Sequence, residues 1–123
     1  MATARRCRPT PGPGGDRGAV TVEAALALTA VVATVVLCLG ALLAASTQVR
    51  CVDAAREAAR LVARGDQANA RPAAERIAPP SADIVFRTDG SHAIAVVSAR
   101  TPLLPLLTLR AEAVATLEPG VAK

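Results

Sequence analysis

The chain is almost without aromatic side chains: Phe86 stands alone, with no Trp and no Tyr. Aromatic rings supply much of the burial in cores and ligand pockets, so their scarcity argues against a small-molecule substrate site. Histidine is equally scarce. His92 is the single one, and metal sites normally need three or four ligands, so no metal and no cofactor is expected. The cysteines, Cys7, Cys38 and Cys51, form no CxxC and no disulfide framework. Cys51 reads as a free thiol or as a bridge between two chains. P-loop, GxSxG and HExxH patterns are missing, and no catalytic constellation replaces them. These absences together describe a chain that is not an enzyme.

The net charge of +4 comes mainly from arginine. The arginines are scattered, with no basic stripe and no interleaved aromatics, so no nucleic-acid partner is expected. With 123 residues the chain has room for one small domain at most.

What is present is one long apolar run. Ala24 to Ala45 reads "AALALTAVVATVVLCLGALLAA", 22 residues without a charge. As a helix this run reaches roughly 33 Å, enough to cross the hydrocarbon core of a bilayer. Too little chain remains to surround it as a buried core helix. It is also longer than the apolar part of most cleaved secretory signals. Four arginines precede the run (Arg5, Arg6, Arg8, Arg17) and four follow (Arg50, Arg56, Arg60, Arg64), so positive charge alone leaves the orientation tied.

The first 18 residues, "MATARRCRPTPGPGGDRG", are rich in Pro, Gly and Arg and read as a disordered basic leader. Glu23 then stands at the mouth of the apolar run. A cut after Gly18 would give Ala19 a new ammonium one helical turn from the Glu23 carboxylate. Alternatively, Thr21 caps the helix of an uncut chain, with Glu23 in its first turn against the dipole.

A leader ending in glycine, four residues, a glutamate and about twenty apolar residues resembles the class III signal of type IV pilin-like proteins. The wider stretch Asp16 to Asp66, ending in "RCVDAAREAARLVARGD", resembles the TadE family of the tight-adherence pilus system in its actinobacterial form. Ala24 follows the glutamate where such signals often carry an aromatic. The resemblance implies Gly18 and Ala19 as the leader cleavage site for a prepilin peptidase and Glu23 as an assembly charge. It also implies other pilin-like subunits and pilus assembly or secretion proteins as partners.

Beyond the run, "STQVRCVDAAREAARLVARG" continues as a helix, with an apolar stripe at Val52, Ala55, Ala59 and Val62 and a stop at Gly65. "DQANARPAAERIAPPS" holds a short helix stopped by Pro79 and Pro80. Three stretches then alternate with period two: "ADIVFR", "HAIAVVSA" and "LTLRAEAVATL". Asp89-Gly90 marks a hairpin between the first two. In the third, Leu109, Ala111, Ala113 and Ala115 share one face. "TPLLPLLT" links the last two strands and folds over the sheet edge or docks on a partner or membrane surface.

The expected fold class is α+β: one long N-terminal helix, transmembrane and extending beyond the membrane, then a small three-stranded antiparallel sheet. The segments are a leader (1–18), a transmembrane helix (19–45), an extracytoplasmic extension (46–65), a linker (66–82), the sheet (83–118) and a tail (119–123). The expected function is that of a non-catalytic pilin-like minor subunit or assembly component of a tight-adherence pilus or related secretion system. Gly40 and Ala44, one turn apart, are the candidate helix-packing positions. The chain is placed in the cell membrane as a single pass with its C-terminal part outside the cytoplasm. The alternatives are an uncut single-pass accessory protein and a secreted small binding domain starting near Thr47.

Overall fold

The computed structural model describes residues 15–101 and 104–121, so the stretch before Gly15, with Cys7, lies outside the described residues. The elements are α1 (Gly15–Ala63), α2 (Gln67–Ile77), β1 (Asp83–Asp89), β2 (His92–Thr101) and β3 (Leu104–Thr116). The class is α+β, with an apolar N-terminal helix and a three-stranded antiparallel sheet in the order β1-β2-β3. The chain divides into two units between Leu37 and Cys38.

In the first unit α1 starts at Gly15, inside the stretch read as a leader, so Gly18 is already helical. Side chains from Gly18 to Leu37 are all exposed. The threonines here turn their hydroxyls back onto the helix: Thr29 donates to the Ala25 carbonyl and Thr34 to that of Ala30, both at 2.8 Å. A helix without water has no other partner for a hydroxyl, and this internal bond keeps the polar group satisfied.

In the second unit the later turns of α1 pack on the sheet. Cys51, Ala54, Ala55, Ala58 and Ala59 are buried, against Ile84, Ala95, Val97, Ala99 and Ala111. The buried face is broader than the stripe expected from sequence, because Cys51, Ala54 and Ala58 join it while Val52 is half-buried. Charges at Asp53, Arg56 and Arg60 occupy the opposite, exposed side. Methyl-sized side chains on both surfaces let helix and sheet lie close. They also explain how so small a sheet is covered by one helix and the short α2.

The end of α1 is a Schellman motif. Gly65 donates to the Val62 carbonyl and Asp66 to that of Leu61, both at 3.0 Å, with Gly65 at φ +82°. The left-handed backbone favours glycine here, and an added Cβ would stand 3.2 Å from Cγ2 of Val121, which would have to shift to admit it. The linker of 66–82 is mostly α2. It ends where Ala78, at ψ 155°, precedes Pro79.

β1 and β2 pair down to Asp89 opposite His92. The two loop residues are therefore Gly90 and Ser91, one position later than Asp-Gly suggested, with Gly90 at φ +56° in the first loop position. In β3, Leu109, Ala111, Ala113 and Ala115 do face inward. The leucine- and proline-rich link is partly strand. β3 begins at Leu104, opposite Thr101, and the register slips so that Arg100 pairs Thr108. Pro105 cannot donate to a ladder, and the stretch around it bulges away, leaving Leu106 100% exposed. The end of β3 is tied to α1 where the Glu118 amide donates to the Ala63 carbonyl at 2.9 Å.

Candidate functional site

Gly18, Ala19 and Glu23 lie exposed on α1. The Thr21 hydroxyl donates to the Gly18 carbonyl at 3.0 Å. Because the helix starts at Gly15, Thr21 stands a turn and more inside it, and the expected capping role at Thr21 does not hold. Ala19 and Glu23 are one turn apart, as the charge-pair reading requires. In the uncut chain, however, the Ala19 nitrogen is a peptide amide and offers no charge.

Cys38 is exposed, and Cys51 is completely buried in the core. Burial pushes the Cys51 thiol up, opposed by the nearby Arg50 guanidinium. A bridge from Cys51 to a second chain is thus closed off in the folded protein, and the residue serves packing. His92 is exposed, with Nδ1 3.4 Å from the Ser91 hydroxyl. Among the described residues no three His, Cys, Asp or Glu side chains gather in a way that holds a metal.

Gly40 and Ala44 are half-exposed. An added Cβ at Gly40 would meet nothing within 4 Å, so no element of this unit presses on it. Gly40 instead lines a cavity of about 360 Å³ with Leu43, Ser46, Thr47 and Arg50 of α1, Pro79 to Ser81, and Arg100 and Thr101 at the end of β2. Arg50 builds one wall. Its Nε donates to the Ile77 carbonyl and its Nη2 to that of Ala78, both at 3.0 Å, capping the C-terminal end of α2 from a neighbouring helix. Arg100 is exposed and makes no hydrogen bond or ion pair among the described residues. Sequence reading did not find this arginine pair. Fifty residues separate its members, and only the antiparallel return of β2 brings them to one cavity.

The outer face of the sheet carries a different constellation. Glu112 lies 3.6 Å from both Arg87 and Arg110. All three are exposed, and the arrangement solvates the sheet.

No family model matches the chain, and no solved structure matches it. A curated protein of Mycobacterium tuberculosis (strain ATCC 25618 / H37Rv), named Apoptosis inhibitor Rv3655c, is 50% identical over 99 residues, covering 80% of this chain and 79% of the relative. This finding corrects the resemblance to the TadE family. The half-identical relative carries another name, and no family model supports that assignment. The physical reason lies in the residues that carried the resemblance. An acidic residue at the start of an apolar helix and a charged helical continuation are features that many membrane helices share. At this identity and coverage, the chain belongs to the family of Apoptosis inhibitor Rv3655c.

Proposed function

We propose that the protein is a non-catalytic, pilin-like subunit or assembly component of a surface filament or related secretion system. It is held in the cell membrane by a single pass of α1, with its α/β unit outside the cytoplasm. The observation that supports this reading most is the bare apolar surface of α1. Leu26, Leu28 and Leu37 are each about two-thirds exposed or more, and Val31, Val32 and Val36 about 60%. Leaving a large aliphatic side chain in water forgoes roughly 1.5–3 kcal/mol each, so a whole helix of them requires lipid or neighbouring helices. Helix α1 is long and apolar enough to cross a membrane. Its small residues suit close association with like helices once lipid is left behind.

The partners on this reading are the membrane, other pilin-like subunits and a prepilin peptidase acting between Gly18 and Ala19. A second reading rests on the relative, whose name credits that protein with inhibiting apoptosis. A chain sharing that role would do so through the surface of its α/β unit, by binding rather than by catalysis.

The test is the mature N-terminus of protein taken from its native membrane, by intact mass and terminal peptide mapping. A start at Ala19 supports the pilin-like reading. A start at Met1 or Ala2 replaces it with an uncut membrane accessory, and a start near Thr47 with a secreted binding domain.

A further inference from the structure

We infer that the cavity between α1, the Pro79–Ser81 turn and the end of β2 is a binding site for the phosphate headgroup of an anionic phospholipid. The inference rests on α1 being a membrane anchor, and its location follows from the sequence. The apolar run ends at Ala45, and the cavity is lined by α1 residues on both sides of that point, Gly40 and Leu43 before it and Ser46, Thr47 and Arg50 after it. A site at this level meets acyl chains at one end and headgroups at the other.

The chemistry follows the same gradient. Two guanidinium groups and four hydroxyl side chains line the cavity, and no carboxylate does. Arg50 is fixed by its two carbonyl bonds, which leaves Nη1 without a partner among the described residues. Arg100 has none at all there. Asp83 shares an adjacent groove with Arg100, but no ion pair joins them. Arginine forks match phosphate oxygens, and an anion is the ligand that two unneutralised guanidinium groups favour.

A second observation separates a lipid phosphate from a free one. Thr101, in the cavity wall, opens the β2–β3 hairpin, and from Thr101 to Leu109 the sequence "TPLLPLLTL" holds no charge. Leu106 on this hairpin is fully exposed. The exposed Leu106 and Leu107 of β3 directly precede Thr108, which pairs Arg100, and so fit acyl chains below a headgroup held by that arginine. Free phosphate would make no use of these leucines.

The test uses the full chain in an uncharged maltoside detergent, titrated with short-chain phosphatidylglycerol and followed by intact-complex mass spectrometry. The expected result is a retained lipid, weakened about fivefold by Arg100→Ala. Arg56→Ala, which removes an exposed arginine away from the cavity, should leave binding unchanged. Inorganic phosphate in excess should fail to displace the lipid. A wild-type chain that retains no lipid, equal weakening by both variants, or displacement by inorganic phosphate would each overturn the assignment. Arg100 is the residue to change first, because Arg50 also caps α2. A thermal melt of the Arg100→Ala chain confirms that its fold is intact. Alkaline extraction of membranes keeps the two readings apart. A wild-type chain that washes out defeats the anchor itself, whereas one that stays but binds no lipid defeats only the headgroup site.

Discussion

Two stretches of α1 use nearly the same residues and meet opposite fates. From Gly18 to Leu37 every side chain is exposed; from Cys51 to Ala63 seven are buried under the sheet and α2. Alanine and valine dominate both, so hydrophobicity alone does not separate them. Charge does. After Glu23 the first stretch has none, leaving a cylinder greasy on all sides, whereas Asp53, Arg56, Glu57 and Arg60 confine the later turns to one apolar face. A helix with one such face covers a sheet; a helix apolar all round needs a solvent of its own kind.

One substitution made in both stretches breaks the comparison most sharply. Ala58→Asp places a carboxylate in a fully buried site within an apolar cluster. It should cost the α/β unit about 3–5 kcal/mol, enough to abolish its cooperative melt in detergent. Ala30→Asp should leave that melt unchanged. Instead it should weaken membrane insertion by about 2.5–3.5 kcal/mol, read as the fraction resisting alkaline extraction. If both variants lose the melt, the two stretches do not differ in the way argued.

Gly65→Ala is the next largest. A left-handed backbone and the nearby Val121 together oppose a Cβ, and thermal unfolding should show a loss of about 1–2 kcal/mol. Cys51 sharpens the contrast by reactivity. Cys38 should be alkylated readily by a lipid-soluble maleimide, and Cys51 only after unfolding. Since burial raises the Cys51 pKa, the native state holds the thiol proton more tightly than the unfolded chain does. Its contribution is complete below the unfolded thiol value, about 8.5, and is lost as pH rises through the higher folded value. A pH series of melts on wild type and Cys51→Ser checks this.

Glu57→Gln should have the smallest effect. Its salt bridge to Arg60, 2.7 Å long, lies at the surface and lowers the carboxyl pKa through the hydrogen bond from that arginine. The small stabilisation is present above the usual glutamate pKa and lost as pH falls through the lowered one, so wild type and variant should converge in acid.

The fold was legible where periodicity is strong. The alternation in β3 and the glycine stop of α1 both stand where the pattern put them, because burial of one face dictates each. The start of α1 was not. Gly15 and Gly18 read as breakers, yet three or four turns of strong helix former downstream carry the helix past them. The hairpin loop slipped by one residue, since Gly90 also suits the first place of a tight turn. The arginine cavity was out of reach altogether: it depends on which strand end returns to α1, and spacing along the chain does not encode that.

The alanine-on-alanine packing of the α/β unit has a consequence for how the sequence tolerates change. Most interiors fail by loss, when a large side chain is trimmed and a void opens. Here Ala54, Ala58, Ala74 and Ala95 are already at the lower limit, and trimming them to glycine removes one methyl apiece. Beyond the roughly 1 kcal/mol that glycine costs inside a helix, the larger damage comes from growth, with any added carbon wedging the helix off the strands. Sequence drift at these positions is bounded from above, and their smallness should outlast the identity of the surface around them.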